Sequence, residues 1–325
     1  MIYTNIKNLL LLLLLCVASM FANAQTPYPT KLINVVVSLQ VGTGSDVAMR
    51  NLAEKMSQAM GQPVVVSNNT GASGVLAAQQ IARAAPDGYS LVALSGATLT
   101  TLPHLKKDAN FNPLKDLVPI AMIVAFPSVI SVNKKVPVNN IREFIELVKS
   151  NPGKFTYASG GNGSVQHTAM ESFKSMAGLD MVHIPYKGMA QATSDLVGGQ
   201  VDTAIQGVVA VIPFVKTGQV KVLAWTGQKR NPLYPDIPTL SESGITGYDF
   251  QSWTALFGPA GMSKEIIAKL NTQMRKAASA SDLRENWRQQ AMETLDYSPE
   301  QIEKIIQTEF DQMGKLIRTT GMKLE

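Results

Sequence analysis

One stretch restricts the fold more than any other. Leu32-Ile33-Asn34-Val35-Val36-Val37 is an apolar, β-branched run, Gly42-Thr43-Gly44-Ser45-Asp46 is a glycine-rich turn, and Ala48, Leu52, Met56 and Met60 then recur at helical spacing. The turn therefore lies at the carboxyl end of a strand and the amino end of a helix. Backbone N–H groups there lack intrahelical partners, and the helix dipole favours negative charge. Two readings fit the stretch alone: an anion-binding loop, or a tight βα connection in which the glycines serve turn geometry.

The unit repeats along the chain. Pro63 to Val66 reads as a second strand, Gly71-Ala72-Ser73-Gly74 as a turn, Val75 to Ala84 as a helix, and Ser90 to Leu94 as a third strand ending in Ser95-Gly96. A second series follows: a helix at 141–149 with Asn140 as cap and Glu143 at the capping-box spacing, a strand at 155–158, a helix at 166–177, and strands at 181–184 and 201–205. This alternation predicts an α/β protein with mainly parallel sheets and helices on both faces. Ile120 to Val132 and Val220 to Thr226 read as two connections between lobes. Trp253 to Phe257, the stripe Ile266, Ile267, Leu270, Met274 and Ala277, and the capped helix opening at Ser298-Pro299-Glu300-Gln301 then return the chain to the first lobe. The expected organisation is a discontinuous first domain of 25–127 and 228–325, a second domain of 128–227, a two-strand hinge and a cleft at the strand ends.

Residues 1–24 stand apart. Lys7 is their only charge, the run Leu9 to Val17 is apolar, and Ala22-Asn23-Ala24 supplies small residues for signal peptidase, so an export signal cleaved after Ala24 and a periplasmic destination are expected. The apolar core falls short of the roughly 18 residues of a membrane span. Cys16, the chain's one cysteine, lies inside this leader; bulky Leu15 before it opposes lipidation. The rest of the chain can form no disulfide and no cysteine metal site. Its net charge falls from +5 to +4 with the loss of Lys7, and its basic residues are scattered, which gives no case for nucleic acid. A monomer with neither metal nor cofactor is expected.

The loops at 42–46, 71–74, 95–98 and 159–164 carry no lysine or arginine. An anion held there would rest on backbone N–H groups and hydroxyls rather than on a salt bridge. The candidate ligand-binding residues are Gly42, Thr43, Gly44, Ser45, Asp46, Ala72, Ser95, Ser159, Gly163, Ser164, His167 and Gln206. Asp46, at a helix start, reads as a loop-bracing carboxylate rather than a base. His167 is either a site residue or a helix-start histidine bonded to nearby backbone. Gln206 follows the strand 201–205 and is either a discriminator for the far end of the ligand or a solvated strand-end residue. Enzyme readings find little support. Gly42-Thr43-Gly44-Ser45-Asp46-Val47 lacks the third glycine of a dinucleotide fingerprint, and Ser67-Asn68 stand where its acidic ribose ligand belongs. There is no GxSxG, GxxxxGK[ST] or HExxH, and His104, His167 and His183 are far apart in sequence without clustered acids.

Taken together, the motifs resemble the extracytoplasmic solute-binding receptors of tripartite tricarboxylate transporters, the Bug receptors. The resemblance runs from Tyr28 to Gly321. It is carried by Gly42-x-x-x-Asp46, Gly61-Gln62-Pro63-Val64-Val65-Val66, Ala85-Pro86-Asp87-Gly88-Tyr89, Tyr157-Ala158-Ser159-Gly160-Gly161-Asn162-Gly163-Ser164 with His167, and Pro185-Tyr186-Lys187-Gly188. Gly198-Gly199-Gln200-Val201-Asp202, Pro235-Asp236-Ile237-Pro238-Thr239 and Gly258-Pro259-Ala260-Gly261 also match. It implies a two-domain, type II periplasmic binding protein fold that closes on a small carboxylate: a dicarboxylate, a tricarboxylate or an acidic amino acid. It also implies integral membrane transporter subunits as partners and no catalysis; a receptor that signals to a membrane partner is the alternative. The chain departs from the family at Ser38-Leu39 for Pro-Phe, Thr43 for a second glycine, and Asn69-Thr70 for Arg-Pro.

Overall fold

The computed structural model describes residues 28–105, 111–232 and 234–321; the leader with Cys16 and the expected cleavage point lie outside them. Two five-stranded sheets organise the chain. The first is built from β1 (Ile33–Val37), β2 (Val64–Asn68), β3 (Ser90–Ser95), β4 (Leu117–Phe126) and β10 (Ser252–Pro259), in the order β2-β1-β3-β10-β4. The second holds β5 (Ser128–Asn133), β6 (Thr156–Ser159), β7 (Val182–Pro185), β8 (Thr203–Gly207) and β9 (Val220–Trp225), in the order β7-β6-β8-β5-β9. Each sheet is mixed. β1 runs parallel to β2 and β3, and β6 parallel to β7 and β8, whereas β10 and β5 run antiparallel to both of their neighbours. The antiparallel members are the strands at or beside the lobe crossings, which the local βα rhythm does not reveal.

Helices cover both faces of each sheet. In the first lobe α1 (Gly44–Met60), α8 (Lys264–Ala278) and α9 (Ser281–Gln289) close one core around Leu52, Met56, Leu270 and Trp287. On the other face α2 (Val75–Ala82), the short α3 (Gly96–Thr100) and α10 (Pro299–Thr320) pack over Val92, Leu94 and Phe257. α10 starts with the expected device, a full capping box between Ser298 and Gln301 with proline at its first turn. In the second lobe α4 (Ile141–Lys149), capped by Asn140, and α5 (Val165–Ala177) bury Phe144 and Phe173; α6 (Met189–Gly198) and α7 (Val208–Lys216) lie on the opposite face.

β4 passes into β5 through Pro127 alone, so one connection between lobes is a nearly continuous strand. The return is longer than expected. After β9, residues beyond 227 still bond to the second lobe: Leu240 N–H donates to the Trp225 carbonyl at 2.9 Å, Phe250 N–H to that of Thr226 at 2.8 Å, and the buried Tyr248 hydroxyl to that of Ala169 at 2.8 Å. Leu240 and Tyr248 belong to the core of Phe144 and Phe173. The chain leaves that core at Gln251–Ser252, beyond the expected boundary at 227, because apolar residues spaced along an irregular segment bury as effectively as those on a helix. Among the described residues no helix is long and apolar enough to cross a membrane, and no group of three or more His, Cys, Asp or Glu is arranged to hold a metal ion.

Candidate functional site

Register dictates where the strand ends point. β4 shares the direction of β1, β2 and β3, so all four end at one edge of the first sheet, where the chain crosses over. β5 begins at that crossing, pairing Ser128 with Gly207, so β6, β7 and β8 turn their carboxyl ends back toward the first lobe. The glycine loops of the two lobes thus open on the same region. Gly96, Ala97 and Thr101 of the first lobe face Val165 and Thr168 at the start of α5, with Gln312 of α10 alongside.

In the first lobe, most of the candidate side chains brace the loop. Asp46 is 1% exposed; its carboxylate accepts from Gly42 N–H at 2.9 Å, Asn68 Nδ2 at 2.8 Å, and Arg50 Nε at 3.1 Å to both oxygens. Burial alone would raise the Asp46 carboxyl, but the bonds from Arg50, Gly42 and Asn68 outweigh it and hold the group below the ordinary carboxylate range. Asp46 is the loop brace that the sequence suggested. Thr43 caps α1, accepting from Asp46 N–H while its hydroxyl donates to the Gln40 carbonyl at 2.8 Å. Ser45 is buried against Thr254 of β10 at 2.7 Å. At Gly44 a Cβ would lie 2.6 Å from the ring of Phe126, the last residue before the crossing, so only glycine allows helix and hinge to approach this closely. Ser95 caps α3, and Ala72 sits exposed in the turn after β2 with a left-handed backbone.

The second lobe follows the same plan. Ser164 caps α5 by accepting His167 N–H, and His167 Nδ1 accepts Gly163 N–H at 3.0 Å. His167 therefore does bond neighbouring backbone. Ser159, wholly buried, bonds His183 Nε2 at 2.6 Å and accepts from Gly161 N–H at 3.1 Å. Two of the histidines that stand apart in sequence meet here: β7 lies beside β6, and the rings of His167 and His183 stack with centroids 3.9 Å apart, Tyr157 closing the stack at 4.8 Å from His183. Burial lowers both imidazoles. For His183, burial and the neighbouring His167 bring the value down to about 4, so both rings are neutral at neutral pH. Ser164→Ala, which removes the cap, is expected to cost roughly 1 kcal/mol of stability. Urea unfolding checks it, and an unchanged midpoint would contradict the capping role.

Gln206 differs from one of its two expectations. The alternation of β8 turns it toward α6, where its Oε1 accepts from Thr193 at 2.6 Å and its Nε2 donates to Ser131 at 3.1 Å, with 1% of the residue exposed. It is not solvated, since both ends of its amide are held by side chains of the second lobe. Arg50 and Asn68 went unassigned in the sequence although they complete the Asp46 brace: Arg50 Nη2 donates to Asn68 Oδ1 at 2.8 Å. The spacing of Asp46 and Arg50, one helical turn, was the available signal. The pocket between the lobes is lined by small residues and hydroxyls at Gly96, Ala97, Thr101 and Thr168, and also by Asp249, Trp253 and Glu309; it holds no lysine or arginine.

The match to known proteins is consistent with this architecture. Residues 48–322 fit the family model described as the tripartite tricarboxylate transporter family receptor. The protein BugT of Bordetella pertussis is 32% identical over 299 residues, covering 92% of each chain. The chain belongs to this family. Two solved relatives share its fold: Rpa4515 of R. palustris with adipate (29% identity, TM-score 0.75, covering 92% of this chain and 100% of that one), and MatC of Rhodopseudomonas palustris with bound malate (29%, TM-score 0.71, 89% and 100%). This tripartite tricarboxylate transporter family receptor is a solute-binding protein and not an enzyme, with the two mixed sheets of periplasmic binding proteins.

Proposed function

We propose that this receptor is exported to the periplasm, captures a small organic carboxylate between its lobes and presents it to integral membrane subunits of a transporter. The observation that supports the proposal is the pairing of two loops without lysine or arginine, Gly42 to Asp46 and Ser159 to Ser164, each at the start of a side-chain-capped helix and each following a strand whose carboxyl end faces the lobe crossing. Such sites receive an anion through backbone N–H groups without a buried cation. The guanidinium of Arg50, one turn into α1, is paired with Asp46. Adipate and malate in the two relatives are both dicarboxylates, which supports that class as ligand. The lobes close on the ligand about the β4–β5 crossing and the 226–251 return, giving the membrane subunits a difference between loaded and unloaded receptor to read.

Thermal unfolding across a panel of mono-, di- and tricarboxylates and acidic amino acids tests the proposal. A ligand at a hundredfold its Kd stabilises the fold by about 2.7 kcal/mol, which raises the midpoint by several degrees. At least one dicarboxylate is expected to do so. A protein shifted by nucleotides and by no carboxylate would overturn the reading.

A further inference from the structure

Ser38 follows β1 directly. It is 3% exposed, and its hydroxyl has no hydrogen-bond partner among the described residues. A buried hydroxyl left unpaired is unfavourable, so its retention at the carboxyl end of β1 calls for a cause. The turn Gly71–Gly74 covers it. Gly74, at φ +91°, comes so near that a Cβ there would stand 2.8 Å from Ser38 Cβ, 3.1 Å from its Oγ and 3.2 Å from Thr98 Oγ1. Ala72 (φ 52°, ψ 41°) and Ser73 (φ 59°, ψ 37°) precede it, both left-handed although neither is glycine, and both exposed. Non-glycine residues hold that conformation at a cost, and such strain gathers at sites that change state. The same Gly74 is the N-cap of α2, which has no side-chain cap, whereas Thr43, Ser95 and Ser164 cap α1, α3 and α5. An unpaired hydroxyl thus meets a helix start that has no side-chain cap and whose first N–H, that of Val75, is held only by the Ala72 and Gly71 carbonyls of the strained turn.

We infer that Ser38 is a ligand-contacting side chain, covered by the Ala72–Gly74 turn in the present conformation and uncovered when that turn relaxes to admit a carboxylate at the start of α2. The Ser38 hydroxyl then donates to one carboxylate oxygen while first-turn N–H groups of α2 serve the other, again without a cation. Thr98 Oγ1, which donates to the Ser73 carbonyl at 3.1 Å, holds the turn in its covering position. The ligand shifts an equilibrium between two turn conformations, drawing on the strain released at Ala72 and Ser73. The inference rests on the carboxylate-receptor reading and adds to it a side chain outside the two glycine loops.

The test combines titration calorimetry against adipate, malate, citrate and glutamate with thermal unfolding in the absence of any of them. Wild type, Ser38→Ala and Ser73→Gly are compared. Ser38→Ala, freed of an unpaired buried hydroxyl, is expected to unfold no earlier than wild type yet to bind about fivefold more weakly, the worth of one neutral hydrogen bond. Ser73→Gly eases the left-handed residue and so favours the covering turn; it is expected to unfold later and also to bind more weakly. Unchanged affinity in both variants, or a Ser38→Ala protein that loses stability and keeps its affinity, overturns the inference and leaves the receptor reading standing. Wild-type protein that binds none of the four acids overturns both.

Discussion

Asp46→Ala is expected to cost about 2–4 kcal/mol of stability and more than tenfold in carboxylate affinity. The carboxylate accepts four hydrogen bonds from three residues, and those bonds join the turn at Gly42, the start of α1 and the end of β2 at Asn68. Bonds to a charged acceptor contribute more than neutral ones, and their loss leaves buried donors unpaired. The upper end of the range is held down because Arg50 is half exposed and regains water. Affinity suffers as well as stability, since a loop that presents N–H groups to an anion must be fixed before the anion arrives. Because the folded-state carboxyl lies below its ordinary value, its contribution is present above the unfolded carboxyl's pKa near 4 and fades as pH falls through the folded one. Denaturant unfolding of wild type and variant at pH 7 and at pH 3 measures this. The two proteins should differ at pH 7 and converge toward pH 3; a constant gap would show that Asp46 acts by shape rather than by charge.

Local signals made the βα units legible. Val35, Val37, Leu52 and Met56 lie in one core, and the caps at Thr43, Asn140, Ser164 and Ser298 stand where capping residues precede apolar periodicity. What stayed hidden depends on contacts between distant segments. The antiparallel setting of β5 and β10 is a matter of pairing rather than of composition. The burial of Gln206 was not legible because a strand's period of two decides which face a side chain takes, and nothing local says that Thr193 and Ser131 wait on that face. His167 and His183 meet only because β7 pairs with β6 in a register that sets His183 opposite Tyr157. The site followed the same division: its loops could be found from glycine and hydroxyl content, but the Arg50–Asp46–Asn68 brace and the unpaired Ser38 required the fold.

Glu309 was not visible in the sequence as anything but a helix residue, yet it carries the other large expected effect. It projects from α10 to the indole of Trp253 on β10, whose Nε1 donates to its two oxygens at 2.9 and 3.1 Å. Trp253 in turn supports the first-lobe wall of the cleft, since a Cβ on Gly96 would lie 2.6 Å from its ring. Burial raises the Glu309 carboxyl to about 7, with the Asp249 carboxylate adding to the rise and the indole bond opposing it. The sign follows from linkage. A folded-state value above the unfolded one near 4.3 means that the stabilising contribution is fully present below pH 4.3 and is lost as pH rises through 7. Glu309→Gln keeps an oxygen for the indole and removes the titration. The variant should match wild type near pH 4.5 and exceed it by about 1–3 kcal/mol at pH 8, the range reflecting a side chain that is only partly shielded from water. Unfolding free energies across that pH range decide the matter. A difference that does not grow between pH 5 and pH 8 would mean that Glu309 ionises as an ordinary surface carboxylate and that Trp253 is held by packing alone.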